Sequence, residues 1–193
     1  MFGKRNIKIP VEISARHCHL ARVDFEVLFG AGRELKMLKQ LSQPSEFACE
    51  ETVTIKFGTK QIEKVRIIGP LRQNSQVEIS ITDAVGSGVM PPIRLSGDVQ
   101  GSSSVTLCGP NGCVELKEGL IVARRHIHCS NIEAKKYKLK DGAIASVEIL
   151  GERSVIFNNI AVRTGEDYIT TLHLDTDEGN AAGINKACEG IIL

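Results

Sequence analysis

The sequence predicts a mainly β protein, built as barrels or sandwiches and divided into two related β units. Three observations predict it. Short stretches rich in Val and Ile recur along the chain, and several alternate apolar and polar residues with the period of two that half-buried strands need. Gly, Pro, Asn and Asp punctuate these stretches at close intervals, the pattern of many short strands joined tightly. Finally, Arg16-His17-Cys18-His19-Leu20 is echoed by Arg125-His126-Ile127-His128-Cys129. Each follows a β-like stretch and precedes a helix-like one, which places a boundary near residue 124.

Taken in order, strands are expected over 7–13, 51–57, 64–68, 76–81, 104–107, 143–150, 154–162 and 168–174. Turns are expected at Gly58-Thr59, Gly69-Pro70, Gly109-Pro110-Asn111-Gly112, Asp141-Gly142 and Asn158-Asn159. Helical signal is sparse. A helix is expected over 21–29, with Ala21 where a Ser or Thr cap is usual, and a short one near 82–86. Ser130-Asn131-Ile132-Glu133 has the spacing of a capping box and opens a helix to about Tyr137. A last short helix is expected near 180–183.

With 193 residues, 42% of them hydrophobic, the chain can bury a sizeable core as one large or two small domains. A formal charge of +1 points to neither a nucleic-acid groove nor a membrane surface. Residues 1–10 are too short and too polar for a secretory leader, so the expected compartment is the cytoplasm. None of the six cysteines forms a C-x-x-C pair, and reduced, mostly buried thiols are expected.

The histidines carry the chemical signal. On a strand, residues i and i+2 share a face at about 6.6 Å along the chain, so His17 with His19 and His126 with His128 can each converge on one ion. Cys18, Ile127 and Cys129 then face away. One His-x-His is more often an ordinary polar face. Two copies in a chain with only five histidines, each preceded by arginine, favour metal. His173, on the polar face of Leu172-His173-Leu174, is a candidate further imidazole. Glu78 lies on the polar face of 76–81, where a solvated surface is the plainer reading. Arg72 closes the turn Gly69-Pro70-Leu71-Arg72 and could present a guanidinium fork to phosphate or carboxylate. By register Arg124 shares a face with His126 and Arg125 does not. The run Asp175-Thr176-Asp177-Glu178 invites a metal reading that ranks below the histidine pairs, since a charged turn leading into a helix explains it equally well.

These motifs resemble one family over 9–184. SARHCHL (14–20), VRIIGPLRQNSQVEIS (65–80), PPIRLSGD (91–98), ARRHIHCS (123–130) and HLDTDEGNAAG (173–183) are similar to the markers of the PduL-type phosphate acyltransferases, or phosphate propanoyltransferases. The resemblance implies two β-barrel domains with short helices, spanning 15–124 and 125–193. The second barrel would be completed by an N-terminal strand at 2–14, with a two-zinc site at the domain interface. It implies reversible conversion of acyl-CoA (propionyl-CoA or acetyl-CoA) and phosphate to acyl phosphate and coenzyme A, in pathways such as propanediol degradation. By motif, one zinc falls to His17, His19 and Glu78, the other to His126, His128 and His173. Arg72 falls to phosphate, and Ser14, Lys39, Arg66 and Asn180 fall to coenzyme A. The resemblance also implies a homodimer, with no nucleic-acid or membrane partner. Relatives housed in microcompartments carry an amphipathic extension; fewer than ten residues precede the first strand here, which favours a cytoplasmic enzyme over a lumenal one. Two rivals share the residues: a two-metal thioester or phosphoester hydrolase, and a non-catalytic zinc-stapled binding module.

Overall fold

The computed structural model describes residues 7–193. In chain order it has β1 (Ile7–Ser14), β2 (His17–His19), α1 (Arg22–Phe29), β3 (Met37–Gln40), β4 (Phe47–Phe57), β5 (Lys60–Gly69), β6 (Gln76–Ile79), α2 (Ile81–Ala84) and β7 (Ile93–Arg94). There follow β8 (Ser103–Cys108), β9 (Cys113–Ala123), β10 (His126–Ser130), α3 (Asn131–Tyr137), β11 (Ile144–Ile149), β12 (Val155–Gly165), β13 (Thr171–Asp175), α4 (Thr176–Ala181) and β14 (Cys188–Ile192). Contacts divide the chain into two compact units: Ala15–Ala123, and Arg124–Leu193 together with the N-terminal segment to Ser14. The N-terminal strand expected from residue 2 is seen as β1 from Ile7; residues 2–6 lie outside the described residues.

In the first unit, β4, β5, β2, β6, β9 and β8 pair in a ring that closes where β8 returns to β4, and β3 and β7 extend its edges. Its core gathers Cys18, Leu20, Phe25, Leu28, Ile55, Ile67, Val77, Leu107 and Leu120. In the second unit, β1, β13, β10, β12, β11 and β14 form a closed barrel around Ile9, Ile127, Cys129, Val147, Ile149, Ile160 and Leu172. Alternation explains the inward set: Ile9 and Val11 of β1 point into the core. Pro10 between them is tolerated because pairing with β13 begins only at Val11.

The two barrels have the same topology. β2 is antiparallel to β6 and parallel to β5; β10 is antiparallel to β13 and parallel to β12. β9 runs parallel to β6 and antiparallel to β8, as β1 does to β13 and β14. β4 corresponds to β11, antiparallel to both its neighbours. The second barrel is therefore a circular permutation of the first, and the N-terminus supplies the strand that β9 supplies in the other. The repeated Arg-His-x-His segment marks a repeat of the whole unit.

Several details differ from expectation, and the strand expected from 168 begins only at Thr171. Asn158-Asn159 is no turn: β12 continues through it with a bulge, Asn159 at φ 58° and two residues opposing Ser146 alone. The strand expected to 81 stops at Ile79, because Ser80 caps α2 and its hydroxyl accepts from the Asp83 N–H. The last helix begins at Thr176, capped by Asp175, so it starts earlier than composition suggested. Cys108 and Cys113, expected as thiols, form a disulfide, since the β8–β9 hairpin sets them opposite one another with Cα atoms 4.1 Å apart. The other cysteines are free, with Cys18, Cys49 and Cys129 buried. The strands β3, β7, β9 and β14 were not anticipated. Met37–Gln40 is exposed throughout and carries no alternating burial for the eye to find. No helix of the described residues is long and apolar enough to cross a membrane.

Candidate metal centres

Among the described residues, two clusters of ligand-type side chains form, one in each unit: His17, His19 and Glu78, and His126, His128 and His173. In each cluster the candidate donor atoms lie within 4.8 Å of one another. Strand register makes them. Directly opposed residues of an antiparallel pair share a face, and β2–β6 sets His17 against Glu78 and His19 against Gln76. Cys18 and Val77 take the other face and enter the core. β10–β13 repeats this, with His126 against His173 and Ile127 against Leu172. Glu78 and His173 thus occupy equivalent positions in the two barrels.

In the first cluster His17 Nε2 lies 3.6 Å, and His19 Nε2 3.9 Å, from the Glu78 carboxylate. His19 is only 2% exposed. Its Nδ1 donates to the Ile68 carbonyl at 3.0 Å, and His17 Nδ1 donates to the Ala15 carbonyl at 2.9 Å. A carbonyl only accepts, so both rings carry a proton on Nδ1 and turn Nε2 toward Glu78. Burial, with the charges of His17 and Arg72, pushes the His19 pKa down to about 3, holding the ring neutral as a metal ligand must be. In the second cluster His126 Nδ1 donates to the Arg124 carbonyl at 2.9 Å, the same bond one repeat later. The rings of His126, His128 and His173 lie 4.6–5.1 Å apart by centroid, and Tyr168 stacks on His128 at 4.2 Å.

Arg72 stands beside the first cluster. Its backbone N–H donates to the Leu20 carbonyl at 2.8 Å, tying it to the exit of β2. Its Nη1 donates to Ser96 Oγ at 2.9 Å and its Nη2 to Glu46 at 2.8 Å. Ser96 also accepts from Gln76 Nε2 at 2.7 Å, and the same nitrogen donates to Glu78 Oε1 at 2.6 Å. Ser96 and Gln76 thereby link the guanidinium to the Glu78 carboxylate, while Glu46 holds its other side; none of the three is singled out by the sequence. The available signal was positional: Gln76 precedes Glu78 by two, hence on its face.

The other candidates are less gathered. Arg66 donates to the Cys49 and Glu50 carbonyls. Lys39 is exposed on the edge strand β3, and Asn180 is exposed on α4. Ser14 ends β1, opposite Asp175. Asp175 and Glu178 exchange hydrogen bonds as a capping box, which accounts for the acidic run as a helix entry. Arg125 donates to Glu178 and to the Asn158 carbonyl.

Sequence comparisons agree in direction. The family profile described as phosphate propanoyltransferase matches residues 10–185. The chain is 47% identical over 178 residues to a phosphate propanoyltransferase of Thermotoga maritima, covering 92% of this chain and 85% of that protein. It is 44% identical over 189 residues to the protein of that name from Priestia megaterium, covering 98% and 87%. It is 47% identical over 184 residues to that of Lachnoclostridium phytofermentans, covering 94% and 85%.

Proposed function

This chain belongs to the phosphate propanoyltransferase family, and on that premise we propose that it moves an acyl group reversibly between coenzyme A and inorganic phosphate with the help of two bound zinc ions. It is an acyltransferase; the acyl donor is propionyl-CoA or acetyl-CoA. The observation that carries the reading is the pair of equivalent three-donor clusters, one of which has a guanidinium hydrogen-bonded into its carboxylate's network.

The donors suit zinc. A tetrahedral ion with bonds of about 2.0–2.1 Å needs ligand atoms roughly 3.4 Å apart, and the His17–Glu78 and His19–Glu78 separations of 3.6 and 3.9 Å approach that. Backbone carbonyls hold His17, His19 and His126 in the tautomer that frees Nε2, the outer support that ligating histidines require. His17, His19 and Glu78 would hold one ion and His126, His128 and His173 the other, three protein ligands each. Bound there, the ions would supply Lewis acidity toward a thioester carbonyl and an acceptor for a thiolate.

Arg72 binds and orients phosphate. Of its five donors, two bonds go to Ser96 and Glu46, leaving others for a dianion. Ser96 and Glu46 stop the guanidinium from turning, so a phosphate oxygen is presented in one direction. That oxygen bonds to the carbonyl carbon, the carbon–sulfur bond breaks, and the CoA thiolate leaves. No covalent acyl-enzyme is needed: Cys18 is fully buried in the core, and burial raises its thiol pKa. Ser14, Lys39, Arg66 and Asn180 are assigned to coenzyme A on motif similarity.

The test is release of free CoA from propionyl-CoA, and in parallel from acetyl-CoA, with and without phosphate. Release that requires phosphate and yields acyl phosphate supports transfer. Equal release without phosphate would make the protein a hydrolase, and none under either condition would leave a binding module.

A further inference from the structure

We propose that Arg16 and Arg125 are positioning residues. Each clamps its His-x-His strand to the strand that carries the cluster's third ligand, by gripping the carboxylate that also caps the following helix. This rests on the reading of the two clusters as metal sites. Arg16 Nε and Nη2 embrace Asp83 at 2.7–3.0 Å. Asp83 is the third residue of α2, and its carboxylate also accepts from the Ser80 N–H. Glu78 lies two residues before Ser80. In the other barrel Arg125 Nη1 donates to Glu178 at 2.6 Å. Glu178 is the third residue of α4, and its carboxylate accepts from the Asp175 N–H. His173 lies two residues before Asp175.

The two arrangements coincide step for step although the residues do not. The acid is Asp in one and Glu in the other, the cap is Ser in one and Asp in the other, and the third ligand is Glu in one and His in the other. What is kept is an arginine directly before the first histidine and an acid five residues beyond the third ligand.

The strand geometry says why such a clamp matters. Each His-x-His strand meets its ligand partner over only three residue pairs. A slip of one residue would send Glu78 or His173 into the core and Val77 or Leu172 into the cluster. So short a ladder holds register weakly, and a charge-assisted pair just beyond its end opposes the slip. Both acids are shielded, Asp83 8% and Glu178 18% exposed by side chain. Each pair is therefore screened less than a surface ion pair. Arg125 has two further holds, the Asn158 carbonyl at 2.8 Å and the Phe157 ring at 5.4 Å. In the same unit Gly179 lets α4 lie against β1, where a Cβ would meet Ile13 at 2.6 Å.

The experiment measures Zn2+ affinity by competition with a chromophoric chelator, and the absorption spectrum of bound Co2+, for each cluster separately. Full-length chains bearing Glu78→Ala isolate the second cluster, and chains bearing His173→Ala isolate the first. Arg16→Met is expected to weaken the first cluster about 10- to 100-fold, with a changed Co2+ spectrum, and to leave the second unchanged. Arg125→Met is expected to do the reverse. Arg16→Lys and Arg125→Lys should recover part of each loss, and they keep the test open if a Met variant fails to fold. Equal weakening of both clusters by one substitution, or no weakening of the adjacent one, overturns the clamp. Failure of the unsubstituted chain to bind Zn2+ overturns the metal reading itself.

Discussion

Metal-free protein should lose stability in mild acid, and His19 should account for a defined part of the loss. The ring is 2% exposed, and its pKa is pushed from 6.5 down to about 3, by burial first and then by the charges of His17 and Arg72. In the unfolded chain the same ring takes a proton near pH 6.5; in the folded chain it does not until near pH 3. The folded state's advantage is therefore complete above pH 6.5 and lost as pH falls toward 3. Each unit between the two values is worth about 1.4 kcal/mol, so the loss is about 2 kcal/mol at pH 5 and approaches about 5 kcal/mol near pH 3. The control is His19→Asn, which cannot titrate but keeps a donor near the Ile68 carbonyl. Urea unfolding of both chelator-treated proteins at pH 7.5 and pH 5 gives four free energies. The original chain should lose about 2 kcal/mol more than the variant between the two pH values. Comparing changes with pH cancels any fixed cost of the substitution. Equal losses would refute the reasoning, showing that the folded protein accepts a proton on His19 as readily as water allows.

Three further outcomes are expected. Arg72→Ala should raise the KM for phosphate roughly tenfold to a hundredfold, the equivalent of about 1.5–3 kcal/mol for a lost charge-assisted contact, with zinc content unchanged; unaltered phosphate kinetics would remove Arg72 from that role. Glu78→Ala should lower zinc occupancy at the His17–His19 cluster and spare the His126–His128–His173 cluster, read by metal analysis, and equal loss at both would undo the grouping. Cys18→Ala should keep turnover, because the thiol lies wholly inside the first barrel core; loss of turnover with metal and fold intact would point to a covalent role.

Local features were the legible ones. Stretches rich in Val and Ile announced β1, β5 and β12, and Ser130 at the right spacing announced α3. The His-x-His spacing put both imidazoles of each pair on one face and sent Cys18 and Ile127 inward, because a strand alternates faces whatever lies beside it. Similarity to a known family supplied Glu78, His173 and Arg72 as partners. Spacing alone could not, since Glu78 on its own looks like any polar residue of a half-buried strand. Asn158-Asn159 misled because a turn pair and a bulge share a composition: both need a residue that tolerates positive φ.

By itself, then, the sequence determined much of the strand pattern, the Ser130 cap of α3 and the repeated donor pairs, all properties of neighbours a few residues apart. Only the tertiary structure decided which residue stands across from which. It set Glu78 against His17 and His173 against His126, brought Asp83 to Arg16 across 67 positions, and drew Ser96 between Arg72 and Gln76. It closed the second barrel with β1, more than a hundred residues from the strands it joins. Register and ring closure depend on which edges find one another once both cores are buried, and no local pattern encodes that choice.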